Sequence, residues 1–131
     1  MHRSAFLLIT AVGEGVTGLF LLLWPAVPLA LLLGMHAAAP ETLLVARVAG
    51  TALLAIGLTS GLAQDDTGSQ ALRAVLAGIL LYDVAVAVVL AYAGIGLHLA
   101  GILLWPAVVA HAVLAIWCVG CLRLTRLPAA P

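Results

Sequence analysis

Lysine is absent from this chain, and charge of either sign is scarce: five arginines face five acids in 131 residues, for a formal net charge of zero. No basic patch is available to draw a polyanion, so nucleic acid is excluded as a partner. Nucleophilic triads, phosphate-binding loops and paired catalytic carboxylates are also missing, and no motif names a reaction or a cofactor. What the chain has in quantity is apolar surface, at 66% apolar residues against 8% charged and a mean hydropathy of +1.30. Too few polar residues remain to cover such a molecule in water, so the expected solvent is lipid. The length fits one integral membrane domain over residues 1–131.

Four apolar runs are long enough to cross about 30 Å of hydrocarbon at 1.5 Å per residue. They cover residues 5–24 (extended, through a kink, to 33), 42–63, 71–93 and 97–122. The first run continues unbroken past Glu14 to Trp24, which marks a retained span rather than a cleaved signal peptide. Short joints at 34–41, 64–70 and 93–96 make sequential helices neighbours of opposite direction. The expected fold is therefore all-α: an antiparallel, up-down-up-down bundle of four transmembrane helices.

Arg3, Arg73, Arg123 and Arg126 fall on the side shared by both termini and the middle loop, while the opposite loops hold His36, Glu41 and His98 but no arginine. The positive-inside rule then places both termini in the cytoplasm. The hexapeptide Leu22-Leu23-Trp24-Pro25-Ala26-Val27 recurs as Leu103-Leu104-Trp105-Pro106-Ala107-Val108. Trp anchors at a membrane interface, and each Pro marks a kink or the first turn of a helix.

Each span carries one ionisable residue near its middle: Glu14, Arg47, Asp83 and His111. A charge at the bilayer centre costs about 2.5–3.5 kcal/mol on insertion scales, so such residues turn inward and find one another. Glu14 shares a helix face with Thr10, Thr17 and Gly18, and Arg47 shares one with Gly50 and Thr51. His111 lies in line with Ala107, Ala115 and Cys118. Small and hydroxyl side chains of this kind line closely packed helix interfaces. Asp83 has no such face, being ringed by Ile79, Leu80, Val86, Ala87 and Leu90, although the adjacent Tyr82 offers a hydrogen bond. Matching depths pairs Arg47 with Asp83 and Glu14 with His111. Two readings stay open for this constellation: interhelical glue, or a proton or ligand site.

Several weaker patterns reduce to packing. Cys118-Val119-Gly120-Cys121 has the spacing of a redox pair but lies at a helix C-terminus, where the dipole disfavours a thiolate, and no second cysteine pair completes a zinc site. Gly13-Glu14-Gly15-Val16-Thr17-Gly18 has the spacing of a dinucleotide fingerprint without the strand and loop that motif requires, so its glycines instead admit a neighbouring helix. Gly57 and Gly61 form a G-x-x-x-G suited to helix pairing within or between chains. Haem needs two deep histidines and only His111 qualifies. His36, Glu41 and His98 are read as solvated loop residues, so no metal site is expected.

Across its length the chain resembles small four-span bacterial inner-membrane proteins of unassigned function. The likeness is carried by the stretch from Gly13 to Leu19, by Ala46-Arg47-Val48-Ala49-Gly50, by Leu81-Tyr82-Asp83 and by the stretch from Leu103 to His111. It implies a fold and an inner-membrane location. The first span alone is also similar to the small multidrug resistance transporters, proton-coupled dimers with one essential glutamate in the first helix, matched here by Glu14. Charges such as Arg47 and Asp83 lie outside that pattern.

The expected function is non-enzymatic: an accessory or assembly subunit, or a small-ligand binder, whose partners are the lipid bilayer and other membrane subunits or a second copy of itself. The alternative is a proton-coupled small-molecule transporter centred on Glu14 and His111. A quinone-reactive enzyme would require Cys118 and Cys121 to cycle between thiol and disulfide.

Overall fold

Proline positions decide where the helices begin and end. In the computed structural model, which describes residues 2–124, five helices follow one another: α1 (His2–Leu23), α2 (Ala26–Leu33), α3 (Pro40–Leu62), α4 (Gln70–Ile95) and α5 (Leu104–Leu124). No strand occurs among the described residues. Helices α1, α3, α4 and α5 are long and apolar enough to cross a membrane.

The extension expected through residue 33 is a separate helix. Pro25 lacks an N–H and its ring collides with the carbonyl four residues back, so α1 stops at Leu23 and the chain restarts as α2. A left-handed Gly34 (φ 72°) closes α2. The last span is also shorter than the expected 97–122. Pro106 is tolerated only in the first turn of a helix, so α5 opens at Leu104, and residues 97–103 form an irregular connector with His98 at φ 55°. The Leu103 N–H donates to the Leu31 carbonyl at 2.8 Å, tying this connector to the end of α2.

Helix α1 packs along α3, and α4 packs along α5. Glycine sets the first contact. A Cβ at Gly18 would lie 2.7 Å from the Gly50 carbonyl oxygen, one at Gly50 would lie 2.6 Å from that of Gly18, and one at Gly57 would lie 2.9 Å from that of Ala11. These backbones touch at Gly18 and Gly57, two of the glycines expected to admit a helix, whereas a Cβ at Gly13 or Gly15 would meet nothing within 4 Å and one at Gly61 only ordinary contact. Phe6 and Leu7 of α1 meet Leu72, Leu76 and Ile79 of α4 and Cys118 and Cys121 of α5 in one buried core. Phe6 stands edge-on to Trp117, with ring centroids 5.6 Å apart.

The α3–α4 connection is held by polar groups. Asp66 accepts from the Gly68 and Ser69 N–H groups, both at 2.9 Å, and from the Ser69 hydroxyl. Those bonds hold its carboxyl down at about 2, so this clamp is complete above the usual carboxylate range and is lost as pH falls through about 2. Ser69 in turn caps α4 by accepting from the Leu72 N–H, and the Arg3 guanidinium donates to the Asp66 carbonyl at 2.6 Å. The start of α1 is thereby fastened to this loop, and Glu14, three turns on, faces α4 and α5.

Candidate functional site

Three helices contribute to one buried polar cluster. Glu14 of α1 is 6% exposed, and Asp83 of α4 is 1% exposed. The side chain of His111 on α5 is 15% exposed, which gives the cluster its contact with the outside. Tyr82 and Asp83 are consecutive and so point about 100° apart around α4, letting one helix address both neighbours. The Tyr82 hydroxyl donates to Glu14 Oε2 at 2.9 Å. His111 Nδ1 lies 2.8 Å from Asp83 Oδ1, where an ionised Asp83 accepts the Nδ1 proton. The Tyr82 and His111 rings meet edge to face, with centroids 5.5 Å apart, and join the two pairs.

One expected pairing is overturned and the other is met in part. Asp83 takes His111 rather than Arg47, while Glu14 accepts from Tyr82 and has a ligand atom within 4.8 Å of one on His111. Arg47 is exposed, and its Nε donates to the Leu22 carbonyl at 3.2 Å. The break at Pro25 explains that contact, because Leu22 is in the last turn of α1, where carbonyls lose their helical partners and a cation is favoured. Arg47 is thus a cap on α1, delivered by the close α1–α3 approach. Thr17 faces outward on α1 and takes no part in the cluster. Tyr82, expected in the site as a hydrogen-bond donor beside Asp83, donates instead to Glu14.

The irregular connector at 97–103 accounts for the changed partners. With a helix beginning at residue 97, His111 would lie fourteen residues into its span. With α5 beginning at Leu104 it lies seven in, about 10 Å nearer that end of the molecule. Pro106 was the legible signal for this shift.

Cys118 and Cys121 are buried in the core below the cluster, and Cys118 Sγ donates to the Leu76 carbonyl at 3.2 Å. His36, Glu41 and His98 are exposed. Glu14, Asp83 and His111 each offer a ligand atom within 4.8 Å of the others, a spacing within which one cation could be held.

Polar demand in the cluster is incompletely met. Asp83 Oδ2 is buried without a hydrogen-bond partner, and so is the Thr10 hydroxyl one turn before Glu14 on the same face of α1. Leaving a buried acceptor unpaired costs about 1–3 kcal/mol, more for a charged group. His111 is the cluster's own cationic partner when protonated, and no arginine joins it: Arg3 and Arg47 bond elsewhere. Arg73 and Arg123 are ten and twelve residues along their helices from Asp83 and His111, about 15–18 Å away.

No family model matches the chain, and neither a curated protein nor a solved structure shows significant similarity to it.

Proposed function

We propose that this chain is a small integral protein of a bacterial inner membrane whose Glu14–Asp83–His111 cluster binds a small ligand between the helices. The single observation that carries this reading is Asp83. A residue serving only as glue satisfies its polar atoms, whereas Asp83 is 1% exposed with one carboxylate oxygen on His111 and the other on nothing. Membrane insertion is supported by apolar side chains turned outward along every long helix, among them Val45, Val48, Leu58, Leu81, Val88, Val109 and Ile116. In water that surface would drive aggregation; in lipid it is ordinary.

The antiparallel arrangement draws support from the glycine contacts. Gly18 lies on Gly50, while Ala11, earlier in α1, lies on Gly57, later in α3. The arginine bias and the Arg3 contact with the α3–α4 loop favour a cytoplasmic location for both termini and that loop. Single cysteines at Thr67 and at His36, on a background lacking Cys118 and Cys121, should be labelled from opposite sides of intact cells. Labelling of both by the same impermeant reagent from outside contradicts this orientation.

Extraction in mild detergent followed by native mass spectrometry tests the binding reading. The wild-type chain should emerge with a small added mass that Asp83→Leu lacks at equal helical content. A chain that emerges only within a larger stoichiometric complex, without added mass, would establish the subunit reading instead. A second reading, a proton-coupled transporter centred on Glu14 and His111, is favoured by the closeness of those two side chains within one cluster. Glu14→Gln proteoliposomes that pass protons as fast as wild type would exclude it.

A further inference from the structure

We propose that the ligand of this cluster is a first-row divalent transition-metal ion, zinc being the type case, bound by Glu14, Asp83 and His111. The inference rests on the ligand-site reading above and names its ligand class. Charge provides the first argument. Two carboxylates and a neutral imidazole around a dication sum to zero, the composition that a low-dielectric interior tolerates best. The arginines of the four long helices are committed elsewhere or too distant to supply that charge.

Geometry provides the second. Around a tetrahedral ion with bonds of about 2.0–2.2 Å, ligand atoms stand about 3.4 Å apart. The His111–Asp83 contact at 2.8 Å must open by about 0.6 Å, and the widest separation allowed within the cluster, 4.8 Å, must close by about 1.4 Å. Side-chain rotations of that size leave the helices where they are.

The ligand set decides the metal class. Imidazole with carboxylates suits zinc and its first-row neighbours. Calcium requires six to eight oxygens and magnesium retains several waters, and three side chains in a tight helix interface accommodate neither well. Three protein ligands leave a fourth position open, for water or substrate. Tyr82 fits this arrangement by donating to Glu14 and fixing that carboxylate's orientation, as hydrogen bonds to metal ligands commonly do. The Asp83 Oδ2 oxygen, buried without a partner on a residue 1% exposed, marks a site with a ligand position to fill.

The test uses the full chain in nanodiscs of phosphatidylcholine, with cobalt(II) chloride as the probe. The wild type should show visible ligand-field bands of four- or five-coordinate cobalt at one ion per chain, without thiolate charge transfer, and zinc should abolish them. Glu14→Gln and His111→Gln should lose the bands while remaining helical. Tyr82→Phe should weaken binding about 10–100-fold, and Arg47→Ala should leave it as in wild type. Absent wild-type bands, bands carrying thiolate absorption, or bands unchanged in both Glu14→Gln and His111→Gln each overturn the proposal. An Asp83-dependent mass that is organic rather than metallic overturns the metal and leaves the ligand site standing. No added mass in any preparation overturns both.

Discussion

Arg47 and Asp83 both interrupt apolar helices, yet their surroundings differ for a reason of length. Arginine has a long stem that carries its charge along the helix surface to a free carbonyl, here that of Leu22. Aspartate has no such reach and must find its partner where its backbone lies, so Asp83 turns inward to His111. Depth alone made the two compatible as a pair, but the Leu22 carbonyl satisfies Arg47 first. A double-mutant cycle on Arg47→Ala and Asp83→Ala, followed by reversible unfolding in bicelles, should give coupling within about 0.3–0.5 kcal/mol of zero. The Asp83–His111 cycle should give about 0.6–1.7 kcal/mol, the range of interhelical hydrogen bonds in lipid. Coupling between Arg47 and Asp83 of the larger size would contradict the pairing.

Among the elements, α1 and α3 announce their contact in sequence and α4 does not. Gly18, Gly50 and Gly57 mark the touching faces, because a Cβ at any of them would fall within 3 Å of the opposite backbone. The α4 surface around Asp83 is aliphatic on all sides, so periodicity carries no sign of which face is inside; only the fold reveals it. Gly50→Val should cost about 1–3 kcal/mol or more, since its Cβ would fall 2.6 Å from a backbone oxygen that cannot move aside. Gly13→Val, which has open space around it, should change stability by no more than about 0.5 kcal/mol. Equal effects of the two substitutions, measured by the same unfolding assay, would remove the close α1–α3 contact.

For the whole molecule, the four long apolar helices were legible because hydropathy and length are local properties, whereas the separate α2 and the late start of α5 were not legible from them. The residues of the polar cluster were legible as well, since their chemistry is conspicuous in apolar runs. Their partners were not, because pairing depends on depth, and depth depends on where each helix starts. Pro25 ends α1 and Pro106 sets the start of α5, and the second is what moves His111 relative to the expected span. The central claim is that α1, α4 and α5 converge to bury Glu14, Asp83 and His111 together. Thiol cross-linking in native membranes tests it most directly, on a chain with Cys118 and Cys121 replaced by Ala. Cysteines at Asp83 and His111, and at Glu14 and His111, should be joined by a short cross-linker, while cysteines at Arg47 and Asp83 should remain separate. Efficient joining of 47 to 83, with none between 83 and 111, would contradict the account.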